Sequence, residues 1–296
     1  MGLSSGRHRA TRRPNPGGAV VIVASLVLGW GFSVPMVSAH PPPSEQAAQL
    51  TRAESAHPND PDLLLQRSSF ERQAGHADAA AAAAQRALAL GAPRAAATAA
   101  LAEALLIGDM PRLAHAVIDA ALLEDANAPE LLWLRGTTRQ TQGDSAGAAT
   151  DFIKVLEIST QPEPARVLQA MAACGTAHRP EEALRAAELA RLKLGLVATV
   201  ELAAVDLEQA TGRHAAALER IDLLLTQSPQ HPDWLARRAD VLDALGRRTE
   251  ARQVRQTALT ALAARPSERR GKRLAALERK LRADVKSLNA PGAGEP

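Results

Sequence analysis

The chain has no tyrosine, three phenylalanines and three tryptophans in 296 residues, so aromatic side chains make up 2% of it. β-Sandwiches and barrels draw on aromatic and β-branched residues to fill a pleated, half-buried surface. This sequence is too poor in aromatics for such a fold. Its single cysteine, Cys174, excludes an internal disulfide. Cys174 stands in "QAMAACGTA" with no base or cation beside it, the setting of a small buried apolar group and not of an activated thiol. Catalytic signatures are missing too: there is no GxSxG, HExxH, P-loop or CxxC, and no GxGxxG after a strand. The histidines are scattered, with His76, His178 and His214 each in a separate turn, so no metal site and no cofactor are expected. Most carboxylates read as solvent-facing. "GDS" at 143–145 reads as a turn followed by helix-cap residues, not as a hydrolase nucleophile.

What remains is rich in alanine, leucine, arginine and glutamate, the strong helix formers, which points to an all-α protein. The net charge of +3 hides an uneven distribution. Residues 1–39 carry four arginines and no acid, and residues 265–296 carry nine Lys/Arg against four Asp/Glu, which leaves the body at −6. An acidic body with basic ends is not the footprint of a nucleic-acid binder.

The N-terminus reads as an address. Four arginines precede an apolar run from Gly18 to Val37, which ends in "VSA". The expectation is a secretory signal over 1–39, cleaved after Ala39, with a periplasmic or secreted mature protein. The alternative is a retained inner-membrane anchor over 18–37, which is near the lower length limit for a span and is weakened by Gly29, Gly31 and Pro35. "HPPPSEQ" (40–46) reads as an extended linker, because consecutive prolines favour polyproline II. A lone helix within 40–60 then precedes the body.

From residue 61 the sequence repeats. Alanine recurs at Ala80, Ala114, Ala148, Ala183, Ala217 and Ala251, at spacings of 34, 34, 35, 34 and 34. A small or aliphatic residue follows seven later at Ala87, Ala121, Val155, Ala190, Leu224 and Ala258. Turns precede each phased alanine, and five hold a glycine: Gly75, Gly108, Gly143, Gly212 and Gly246, with His178 in the sixth. Glycine suits the end of a first helix, where a left-handed backbone is wanted. Leu88, Leu122, Leu156, Leu192, Leu225 and Leu259 are assigned to the last turn of the second helix, and prolines separate the units. The period therefore predicts helix–turn–helix units over 61–265.

The unit resembles the tetratricopeptide repeat. "PELLWLRGTTRQTQGDSAGAATDFIKVLEI" (129–158) matches best, with Gly136, Gly143, Ala148 and Phe152 at the family's small, turn, small and bulky positions. "HPDWLARRADVLDALGRRTEARQVRQTAL" (231–259) follows, with Arg255 in a place the family gives to an aromatic. The resemblance implies a right-handed α-α superhelix of about six repeats. Residues 266–288 break the period. There Leu274, Leu277, Leu281, Val285 and Leu288 form one helical stripe, read as a basic capping helix, and 289–296 read as a disordered tail.

The resemblance also implies that the first helix of each unit lines a concave groove for a protein or peptide. The residues it assigns there are Leu65, Thr98, Ala102, Leu105, Trp133, Leu134, Thr137, Gln140, Leu168, Gln169, Asp206, Arg237, Asp240 and Asp243. Its last third is expected to be acidic. The first helices hold no asparagine and no lysine, which argues against the carboxylate clamp of some relatives. The expectation is a non-catalytic scaffold or assembly factor of the cell envelope, or a membrane-anchored subunit of an inner-membrane complex if 18–37 is retained. Nothing in the sequence sets an oligomeric state.

Overall fold

A computed structural model describes residues 43–265 and 272–288. The signal or anchor expected over 1–39, the start of the capping segment at 266–271 and the tail at 289–296 lie outside the described residues. Among the described residues there are helices and no strands. In chain order they are α1 (Pro43–Ala56), α2 (Pro61–Gln73), α3 (Ala77–Ala89), α4 (Arg94–Ile107), α5 (Pro111–Glu124), α6 (Pro129–Thr141), α7 (Ser145–Ile158), α8 (Pro164–Thr176), α9 (Pro180–Leu194), α10 (Ala198–Ala210), α11 (His214–Gln227), α12 (Pro232–Ala244), α13 (Arg248–Ala263) and α14 (Lys272–Leu288). The even-numbered helices α2 to α12 are the first, or A, helices of six antiparallel pairs. The odd-numbered α3 to α13 are their B partners. The fold is an all-α, right-handed superhelix of the tetratricopeptide-repeat kind.

Proline opens many of these helices: Pro61, Pro111, Pro129, Pro164, Pro180 and Pro232 are first residues. At that position the missing N–H costs nothing and the fixed φ already suits the helix. The same reason corrects the reading of 40–46 as extended, because Pro43 also starts a helix. Asp60 and Asp144 accept backbone N–H bonds as N-caps of α2 and α7.

The turns between A and B follow one rule with one departure from expectation. Left-handed backbone occurs at Gly75, Asp109, Gly143, His178, Gly212 and Gly246, in phase with the repeat. In the second turn the strained residue is therefore Asp109 (φ 54), and Gly108 one position earlier has φ −74.

Every phased alanine is buried between the two helices of its pair. Close approach there needs complementary sizes across the pair. Gly136 faces Phe152 so closely that a Cβ on the glycine would lie 2.6 Å from the ring. One unit on the sizes reverse, with Met171 and Ala187 at the same two register positions, both buried. In the first unit Ser68 stands at the small position opposite Ala84, and its hydroxyl donates to the Ala80 carbonyl at 2.9 Å. The alanine run at 79–84 is thus a working B helix. Leu192 lies in the last turn of α9 as assigned, but it is 82% exposed, because it lies one residue past the register position, where Arg191 stands.

Successive A helices pack on one another at α2–α4, α4–α6 and α8–α10, whereas among the B helices only α7–α9 comes into comparable contact. The A helices thus form the inside of the curve. Between units, the Lys193 ammonium donates to the carbonyls of Leu156, Glu157 and Ser159 at 2.7, 2.8 and 2.6 Å. It satisfies the free carbonyls at the end of α7, where a cation also meets the negative end of the helix dipole. At the far end α14 closes the core with Leu274, Leu277 and Leu281, packed with Leu235, Ala258 and Leu262.

Candidate functional site

The inner face of the A helices is set by register. Taking Trp133, Thr137 and Gln140 of α6 as reference, the equivalent residues are Leu65, Ser69 and Arg72 on α2, then Ala99, Glu103 and Leu106 on α4. They continue as Leu168, Ala172 and Gly175, then Leu202, Asp206 and Gln209, and end at Ala236, Asp240 and Asp243. This corrects the reading of α4. Thr98, Ala102 and Leu105 are all buried, the last two in the cluster that holds Ile118 and Leu131. α4 carries alanine on every side, so its apolar stripe does not mark one face, and the expected groove residues fell one position short.

Trp133 is half-buried. Its ring lies 4.4 Å from that of Phe152, and the Arg166 guanidinium sits 4.8 Å over it. It packs against the core clusters on both sides of α6, so much of its surface is already engaged. Leu134, one residue on, joins the cluster of the second and third units. The Thr137 hydroxyl donates to the Trp133 carbonyl at 2.9 Å. Gln140 accepts from Gln169 of the next A helix at 3.2 Å. Leu65 and Leu168 are half-buried on the same face.

The expected acidic end of this face is not acidic in effect. Asp206 pairs with Arg237. Asp240 accepts from Lys280 of α14 at 2.9 Å and from Arg255 at 3.2 Å. Asp243 turns to Arg255 between the helices. Near the other end Arg72 and Glu103 pair at 3.1 Å between neighbouring A helices. The stretch from Leu106 to Gln169, which carries Arg166 over Trp133, therefore lies between charges that are already matched.

Several carboxylates expected in solvent are buried. Glu201 is 1% and Glu208 3% exposed, and both bond Arg220, itself 7% exposed, which also reaches Glu188. Burial disfavours the guanidinium charge, but hydrogen bonds to Glu208, Glu201 and Glu188 outweigh it and hold the arginine above its ordinary range. Asp151, 2% exposed, takes Arg135 and Arg139 at 2.7 Å each. These ion clusters link the two helices of their pairs. Cys174 is fully buried, and burial pushes its thiol up to about 11, with Glu182 adding to the effect. Among the described residues no group of three or more His, Cys, Asp or Glu converges as a metal site, and no helix is long and apolar enough to cross a membrane.

No family model matches the chain, and no curated protein does. Solved structures do. The C-terminal part of a TPR repeat-containing protein from Cytophaga hutchinsonii matches with a TM-score of 0.55, covering 84% of this chain and 95% of that one at 12% identity. PilF of Pseudomonas aeruginosa matches at 0.46, over 76% and 97% at 19% identity. YrrB, described as a TPR protein with an unusual peptide-binding site, matches at 0.44, over 78% and 97% at 14% identity. The Cytophaga protein carries the fold assignment, and at this identity it carries the fold alone.

Proposed function

We propose that this protein is an exported, non-catalytic scaffold or assembly factor of the cell envelope, which takes a protein or peptide partner on the inner face of its A helices. The observation that supports this most directly is the composition of that face. Leu106, Trp133, Thr137, Gln140 and Leu168 mix apolar surface with amide and hydroxyl groups on the A helices, with the Arg166 guanidinium over the Trp133 ring. Sites that bind an extended or helical segment need apolar anchors beside a few fixed polar groups. The basic, apolar and small-residue order of residues 1–39 supports export.

The test has two parts. N-terminal sequencing of the mature protein should return His40, and a chain that keeps residues 18–37 makes it membrane-anchored instead. For binding, proteins retained by the wild-type chain are compared with those retained by Leu168→Glu and by Trp133→Ala. Trp133→Ala also removes packing from Phe152, so Leu168→Glu is the cleaner arm. Equal recovery of the same proteins by Leu168→Glu, with unchanged helix content, would remove the inner face as the binding site.

A further inference from the structure

The two ends of the array are finished differently. At the C-terminal end α14 lies on the last pair and buries Leu281 against Leu235 and Leu262. At the N-terminal end α1 has the register of a B helix, since Pro43 lies 34 residues before the start of α3 at Ala77. Among the described residues it has no A helix of its own.

Among the described residues, the surfaces that such a helix would cover are only partly buried. On α1, Leu50 is half-buried, whereas its register equivalents Ala84, Ile118 and Phe152 are all fully buried. On α2, Leu63 and Phe70 are half-buried. Their equivalents on α4 and α6, Ala97, Ala104, Leu131 and Thr138, are 0 to 1% exposed, each on a helix packed against the A helix before it. Leu50, Leu63 and Phe70 floor a cavity of about 420 Å³, rimmed by the amides of Gln49, Gln66 and Gln73. Among the described residues no charged side chain lines it. The cavity at the opposite end, between α10, α12 and α14, is lined by three aspartates, two arginines and a lysine.

We infer that the cleft between α1 and α2 is an open helix seat, which takes one amphipathic helix, uncharged on its docking face, from a partner protein. The shape follows from the molecule itself, because the same pair of faces is covered by a 13- or 14-residue helix in the repeats that follow. The chemistry follows from the lining. A carboxylate or ammonium placed there would lose water and find no opposite charge. A ridge of alanine and leucine with flanking amides or hydroxyls would meet the apolar floor and the glutamine rim. The inference rests on the export reading above, in which residues 1–39 are removed and the chain cannot fill the seat from its own N-terminus.

The experiment uses the full chain and the chain from His40 side by side. The probe is a fluorescein-labelled peptide with the sequence of α4, RAAATAALAEALLI, whose natively buried residues Ala97, Thr98, Leu101, Ala102, Ala104 and Leu105 are all uncharged. A control peptide carries Leu101→Glu and Leu105→Glu. Saturable anisotropy binding to the His40 chain is expected, weaker by about tenfold or more for the control peptide and for Leu63→Gln, and unchanged by Leu168→Glu. Absence of saturable binding to the His40 chain overturns the seat, as does equal binding of the control peptide or of Leu63→Gln. Binding by the His40 chain but not by the full chain assigns the cleft to residues 1–39, and a dimer dissolved by Leu63→Gln assigns it to a second copy; either overturns the partner. If sequencing returns His40 and the peptide is ignored, the seat fails and the export reading stands. If sequencing finds residues 18–37 retained, the reading of a cleaved signal fails, and the His40 chain still judges the seat.

Discussion

The third and fifth repeats fill the same place between their helices with opposite charges. In the third, Asp151 of the B helix is held by Arg135 and Arg139 of the A helix. In the fifth, Arg220 of the B helix stands at the equivalent position and is held by Glu201 and Glu208 of the A helix. In these two repeats the same position thus takes a buried ionic cross-link of either sign, whereas Ala83, Val117, Ala186 and Val254 stand there in the others. The two are not equivalent in surroundings. Arg135 and Arg139 keep 19% and 26% of their side chains in solvent, while Glu201 and Glu208 keep 1% and 4%. Losing the central residue should therefore cost more in the fifth repeat than in the third.

The largest effect is expected from Arg220→Met. It leaves Glu201 and Glu208 buried with no cation between them, and breaking a buried pair from one side typically costs about 3–5 kcal/mol. The denaturation midpoint should fall strongly, and Glu201→Gln with Glu208→Gln added to that variant should restore part of the loss. A midpoint unmoved by Arg220→Met would end the claim that this cluster holds the fifth repeat together. The matching change in the third repeat, Asp151→Asn, keeps the shape and removes the charge. Arg135 retains its pairing with Asp119 at 2.9 Å, and both arginines have access to water. The expected cost is about 1–2 kcal/mol, as for a charge-assisted hydrogen bond. If Asp151→Asn proves as costly as Arg220→Met, solvent access is not what separates the two repeats.

The contrast also marks where the sequence stops being readable. The phased alanines, their spacing and the helix–turn–helix unit are visible in one dimension, because each repeat imposes the same close approach. The ion clusters are not. A glutamate on an alanine- and leucine-rich helix looks solvent-facing until the helix opposite supplies an arginine, and Arg220 lies 19 residues from Glu201 and 32 from Glu188. The pairing of Asp240 has the same origin, since its lysine comes from α14, 40 residues on. Among the A helices, the phase of α6 can be read from Leu131, Leu132 and Gly136, whereas alanine on every side of α4 blurs its own.

The turns offer a smaller and opposite effect. Asp109 holds φ 54 and His178 holds φ 56 at places where the other turns use glycine. A side chain in left-handed backbone costs on the order of 1 kcal/mol. Asp109→Gly should therefore raise the melting temperature slightly, offset in part by the extra freedom that glycine gives the unfolded chain. Gly143→Asp, in the third repeat, should lower it. Equal melting temperatures for Asp109→Gly and the wild type would show that the second turn carries no strain worth relieving.

Mild acid offers a further test of burial, and His231 is the place to look. It stacks on Trp234 with ring centroids 4.2 Å apart, and its Nδ1 is buried without a hydrogen-bond partner. Burial lowers its pKa from 6.5, Asp233 opposes the shift, and Arg265 and Arg273 add to it. A lowered pKa means that the unfolded chain takes up the proton first as pH falls. The stability tied to neutral His231 is therefore complete above about 6.5 and is lost as pH drops through the lower folded value. His231→Gln removes that dependence while keeping a planar polar side chain. The melting-temperature gap between wild type and variant should shift against the wild type between about pH 8 and about pH 5. A gap that stays constant over that range would show that the imidazole is as easily protonated in the fold as outside it, and the burial around Trp234 would then be without electrostatic consequence.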